Sequence, residues 1–160
     1  MRIIEGSRPA GGLKFAVVVS KYNDFVTDRL QRGALAALTH LGVRDDDITV
    51  IRVPGAFEIP TAARLAADTN EFDGIVCLGC LIRGATPHFE YISSAVAHGL
   101  TAASSATGIP MAFGVLTTNS AEEALERAVD GPSNKGWEAA QATVGMVIIA
   151  GELAGSASTT

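Results

Sequence analysis

Cysteine, tryptophan and histidine are scarce in this chain of 160 residues, at two, one and three copies, and basic residues are outnumbered by acidic ones, 12 to 17. Each shortage closes a class of function. A net charge of −5 offers no basic stripe for a nucleic-acid backbone. His40, His88 and His98 stand at no ligand spacing with Cys77 and Cys80, so no metal site is expected. The two cysteines form a C-x-x-C inside an apolar run that reads as a strand. Strand positions three apart point to opposite faces, and a redox pair starts at a helix N-terminus instead. Neither a disulfide nor a redox role is expected. Long apolar runs are also missing: the longest, within 139–150, is broken by Gln141 and is too short for a bilayer. The opening Met1-Arg2-Ile3-Ile4-Glu5-Gly6 carries charge where a signal peptide needs its apolar core, so a cytoplasmic protein is expected.

What the chain does have is small apolar residues. Hydrophobic residues make up 48% and charged ones only 18%, with a mean hydropathy of +0.28. The length suits one domain, 1–160, with a single core. So little polar surface points to burial against other copies of the chain.

Apolar runs alternate with helical stripes. Strands are expected at 13–20, 48–53, 74–82 and 110–116. After the first, Asn23 or Asp24 caps a helix whose stripe is Val26, Leu30, Ala34, Ala37, Leu38 and Leu41, ending at Gly42. A second helix begins near Phe57, tolerates Pro60 in its first turn and runs to about Thr69. A third ends near Thr107. Asn119 or Ser120 then caps a short helix, each with a glutamate three residues on. The last helix spans about Asn134 to Ala154 and is apolar nearly all round, which again favours a homo-oligomer. Strict alternation predicts an α/β three-layer sandwich, a flavodoxin-like parallel four-stranded sheet with helices on both faces. Ligands of such sheets bind beyond the carboxyl ends of the strands.

Four polar or glycine-containing turns converge there: Tyr22-Asn23, Gly55 to Glu58, Arg83 to His88, and Thr117 to Asn119. The third carries the most chemistry. Thr86 fits a helix N-cap and Pro87 the first helical position. The N–H groups of Gly84, Ala85 and Thr86 then line a pocket for an anion. His88 follows at once, placed for proton transfer on a phosphorylated substrate. Tyr22 can stack a ligand ring, and Glu58 can hold a polar one. Plainer roles compete for each: a half-buried tyrosine, a carboxylate favoured by a helix N-terminus, a capped helix with an idle histidine. Arg127, four residues after Glu123, reads as a surface ion pair or a phosphate fork. Phe113 alternates with Val115 and by default packs in the core. Lys135 opens the last helix against the dipole, which suggests an anion or an acid on another subunit as its partner.

The blocks PGAFEIP (54–60), IRGATPHFEY (82–91), GVLTTNSAEEALERA (114–128) and NKG (134–136), in this order, closely resemble the lumazine synthases of riboflavin biosynthesis. The opening MRIIEG and the spacings fit too, so the resemblance covers essentially the whole chain. It implies condensation of 5-amino-6-(D-ribitylamino)uracil with 3,4-dihydroxy-2-butanone 4-phosphate, giving 6,7-dimethyl-8-ribityllumazine, phosphate and water, with no metal or organic cofactor. It implies that Tyr22 and Phe113 pack on the pyrimidine, and that Ala56, Phe57, Glu58, Cys80, Leu81 and Ile82 hold the pyrimidine and ribityl chain. Ala85, Thr86 and Arg127 would bind phosphate, with Arg83 and Lys135 in support, and His88 would transfer protons. Phe113 and Arg127 would come from a neighbouring subunit of a pentamer. The short stretch 127–135 and the arm 1–12, which would pair with a neighbour's sheet, resemble those of sixty-subunit shells, with riboflavin synthase a candidate partner. Three positions depart from the common pattern. Tyr22 replaces phenylalanine or tryptophan, Cys80 replaces threonine, and Gly131-Pro132 replaces a stretch that often carries lysine. Non-catalytic carriers of flavin or lumazine and the related archaeal riboflavin synthases share the fold. A receiver domain would need an acidic cluster where Ser20-Lys21-Tyr22 stands.

Overall fold

Uninterrupted apolar runs form the middle of the sheet, because parallel strands covered on both sides have no face left for polar residues. The chain, described here over residues 1–158 of a computed structural model, has four strands: β1 (Phe15–Ser20), β2 (Ile48–Val53), β3 (Gly74–Ile82) and β4 (Met111–Thr118). All are parallel, in the order β2-β1-β3-β4. The central β1 is buried throughout. Along it the side chains alternate: Phe15, Val17 and Val19 join one core, Ala16 and Val18 the other.

The first core lies under α1 (Asp24–His40) and α5 (Lys135–Ser158), the second under α2 (Ile59–Asp68) and α3 (His88–Thr107). A short α4 (Ala121–Glu126) follows β4. The three-layer sandwich is as expected. So is the stripe of α1, whose Val26, Leu30, Ala34, Ala37 and Leu38 are fully buried. β1 starts two residues later than anticipated. β4 runs two residues further, because Thr117 and Thr118 keep pairing with Leu81 and Ile82. Among the described residues, no helix is long and apolar enough to cross a membrane.

One buried polar residue ties the α1–α5 layer together. Asn134, fully buried, accepts from the N–H groups of Gly136 (2.7 Å) and Trp137 (3.2 Å) and donates to the Arg29 carbonyl (3.2 Å). It therefore caps α5 and staples it to α1 in one group. Nothing larger than glycine fits beside it: a Cβ on Gly136 would lie 1.9 Å from the Leu30 carbonyl oxygen. The N-terminal arm also makes a close crossing. Gly6, at φ +67°, passes Gly145 of α5 so closely that a Cβ would meet its carbonyl oxygen at 2.3 Å.

Candidate active site

Strand order places a cleft where β1 and β3 lie side by side while their connections leave in opposite directions. Open α/β sheets bind ligands at such a point. The cleft has a volume of about 820 Å³, and its walls include Tyr22, Ala56, Phe57, Glu58, Leu81, Ile82, Thr86 and His88. Three connections build it. After β1, Lys21 and Tyr22 donate to the carbonyls of Val53 and Pro54 (2.8 and 3.1 Å), which fastens this turn to the end of β2. Asn23 stands at the N-cap of α1 but does not cap it with its side chain. It adopts a left-handed φ of 63°, and Nδ2 donates to the Cys80 carbonyl at 2.9 Å. The expected cap is thus replaced by a tie to β3, and Tyr22 is left 71% exposed. After β2, a 3-10 turn at Ala56–Glu58 buries Ala56 and presents Phe57, 64% exposed, beside a half-buried Glu58.

The third connection departs from expectation in one detail. Pro87, not Thr86, occupies the N-cap of α3, and no side chain caps that helix. The motif's last residue before the helix is the rigid one, so Thr86 stays in the open turn. The consequence favours an anion. The N–H groups of Gly84, Ala85 and Thr86 meet no acceptor among the described residues and sit in an exposed turn. Successive free N–H groups before a helix form an anion-binding concavity. His88 is the first residue of α3 and is exposed on the same rim.

Arg83 does not point a free guanidinium at this turn. Its Nε donates to Asn119 Oδ1 (3.0 Å), an Nη pairs with Glu90, and the guanidinium lies 4.7 Å over the Phe89 ring. It acts as a brace between β3, α3 and the turn after β4.

Phe113, Arg127 and Lys135 are elsewhere. They line a second groove of about 620 Å³ along β4 and α5, and among the described residues none lines both that groove and the cleft. Phe113 is 47% exposed, against the default of a core position; the partner of Val115's burial on β4 is open surface. Arg127 makes no ion pair with Glu123. It donates instead to the Glu123 backbone carbonyl at 3.1 Å, because the Glu123 carboxylate accepts from the Asn119 N–H at 3.0 Å. Lys135 finds its acid in its own chain, Glu138, at 2.9 Å. Ser120, not Asn119, caps α4, accepting from the Glu123 N–H.

A model of the 6,7-dimethyl-8-ribityllumazine synthase family matches residues 12–150. The chain belongs to that family. It is 52% identical over 145 residues to the 6,7-dimethyl-8-ribityllumazine synthase of Syntrophus aciditrophicus (strain SB), covering 91% of this chain and 94% of that one. It is 46% identical over 149 residues to the synthase of the same name from Desulfatibacillum aliphaticivorans, covering 93% and 96%. Membership in the lumazine synthase family makes the chain an enzyme, a transferase of riboflavin biosynthesis.

In this member of the lumazine synthases the cysteines take no part in the cleft's surface. Cys77 belongs to the α2–α3 core and Cys80 to the α1–α5 core, so they face opposite ways as strand geometry requires. Both are free thiols. Burial pushes Cys77 up to about 12 and Cys80 up to about 11, from an ordinary 9.0. Neither forms a thiolate at neutral pH, and both are poor nucleophiles.

Sequence reasoning missed part of the cleft. Tyr91 and Ile92 also line it, and the signal was available: they stand three and four residues after His88, on the same helix face. Phe89 was missed as well, while Asn23 lines the cleft from the turn already singled out. Glu138 beside Lys135 had the same i, i+3 signal.

Proposed function

We propose that this chain condenses 5-amino-6-(D-ribitylamino)uracil with 3,4-dihydroxy-2-butanone 4-phosphate to 6,7-dimethyl-8-ribityllumazine, in the cytoplasm and without metal or organic cofactor. The observation that carries it is one cleft joining exposed aromatic rings, a carboxylate and a histidine beside a turn with three free N–H groups, in a chain 52% identical to a lumazine synthase.

Tyr22 stacks on the pyrimidine, while Phe57, Glu58 and the backbone at Ala56 and 80–82 hold its polar edges and the ribityl chain. Phosphate rests on the N–H groups of Ala85 and Thr86. The pyrimidine's primary amine attacks the ketone, and water leaves to give an imine. Loss of a proton beside the imine expels phosphate, whose oxygen takes the bonding pair. What phosphate leaves behind is an enol at the hydroxyl-bearing carbon, which tautomerises to a new ketone. The ribitylamino nitrogen then closes the ring on that ketone, with loss of a second water. Each step moves a proton, and His88 on the rim of the cleft is the group placed to carry it. Holding two reactants together supplies much of the remaining acceleration.

Phe113 and Arg127 complete the cleft from a neighbouring copy, with Lys135 in support, the fork of Arg127 meeting the charge of the departing phosphate. Two observations support this: the groove that holds them shares no lining with the cleft, and Phe113 offers an exposed ring from a strand. A pentamer follows from the family resemblance. The short stretch 127–135 favours closure of pentamers into a sixty-subunit shell, with the arm 1–12 pairing on a neighbour's sheet. Riboflavin synthase, which consumes the product, is then the candidate partner.

The test is turnover with the two substrates, following phosphate and the lumazine chromophore together. Equal amounts of both, above the uncatalysed background, are expected. Pyrimidine or flavin binding without rate enhancement would make the protein a carrier instead.

A further inference from the structure

Two separate parts of one chain meet at Asn119. Its Oδ1 accepts from Arg83 Nε at 3.0 Å, and its N–H donates to Glu123 Oε2 at 3.0 Å. Arg83 in turn holds Glu90 and covers Phe89, the second and third residues of α3, next to His88. Its own N–H bonds the Thr118 carbonyl at 2.8 Å, closing the two strand ends together. On the other side, Glu123 offers its backbone carbonyl to Arg127 at 3.1 Å. Hydrogen bonds thus link the first turn of α3 to Arg83 and Asn119 through side chains, and Asn119 to Glu123 and Arg127 through backbone groups. The anion turn lies at one end and the cation of the β4–α5 groove at the other.

We propose that Asn119 is a positioning residue for phosphate binding. Its side-chain Oδ1 fixes the anion turn through Arg83, whereas its bond to Glu123 is made by the backbone N–H. Arg83 therefore acts through its Nε–H and its flat guanidinium, as a brace, and not as a point charge on the phosphate. A lysine cannot reproduce that geometry. This inference rests on the reaction proposed above, in which the anion turn receives the phosphate, so the Asn119 side chain acts on the site to which its own chain contributes that turn.

The experiment measures inorganic phosphate binding to the assembled protein by calorimetry, and the KM of each substrate, for Asn119→Leu, Asn119→Asp and Arg83→Lys. Leucine removes the acceptor; aspartate keeps it. Asn119→Leu is expected to raise the phosphate Kd and the KM of the phosphorylated ketone by about tenfold, the size of one lost charge-assisted hydrogen bond. The KM of the pyrimidine and the mass of the assembly stay unchanged, and Asn119→Asp restores phosphate affinity. Arg83→Lys matches Asn119→Leu, and the double variant is no worse than either, since both break one link. Unchanged phosphate affinity in Asn119→Leu, or full affinity in Arg83→Lys, overturns the inference. Should the wild-type chain bind phosphate but not turn over, the reaction is refuted, while the phosphate titrations still decide the role of Asn119.

Discussion

Replacing Arg127 with alanine is expected to weaken the phosphorylated ketone by about 30- to 150-fold, the loss of about 2–3 kcal/mol from hydrogen bonds to a charged group. The pyrimidine's affinity should change by less than about twofold, within the scatter of a surface substitution. The reasoning starts from what holds Arg127. It is exposed in the β4–α5 groove, and one Nη is bound to a backbone carbonyl while the rest of the fork is open. An arginine tethered at one corner presents its remaining donors in a fixed plane, which suits a phosphate. Calorimetry with each substrate alone separates the two effects. Equal losses for both substrates would mean that Arg127 shapes the assembly, not the phosphate site.

Replacing His88 with alanine is expected to lower kcat by about 100-fold while leaving the assembly intact, which is the low end for a lost general acid–base group. The low end applies because proximity of the two substrates survives the change. Assembly should survive because the His88 side chain is exposed and makes no hydrogen bond among the described residues. Sedimentation and stopped-flow kinetics check the two halves. A collapsed oligomer with a preserved rate per folded site would make His88 structural.

The fold was legible wherever burial on both faces left only one kind of residue to use. β2 and β3 begin and end where the apolar runs do, and α3 ends at the expected Thr107. The sequence was less informative where a pairing partner decides. β4 continues through Thr117 and Thr118 only because β3 is long enough to hold them. Thr86 has the chemistry of a cap, yet the fixed φ of Pro87 takes the position first. Asn23 likewise has a capping side chain, but a carbonyl of β3 claims it.

The site was legible in its turns and not in its connections. The anion turn, His88 and the aromatic rings sit next to each other in the chain or at strand ends that the topology must gather. The tie from Arg83 to Asn119 spans 36 residues, and no periodicity announces it. Nor does spacing reveal that Phe113 and Arg127 lie away from the cleft, since both stand on elements whose ends should have met there. Separation of the two groups appears only once α5 is seen packed along β4.

The central claim is that each site is built by two chains, and one hybrid tests it most directly. Chains carrying His88→Ala and chains carrying Arg127→Ala, each nearly inactive alone at ketone well below its wild-type KM, are co-expressed in equal amounts and their turnover is measured there. A shared site pairs the intact His88 of one chain with the intact Arg127 of its neighbour, so random assembly around a ring should recover about a quarter of wild-type activity. Activity no higher than the mean of the two parents would place the whole site within one chain and contradict the account.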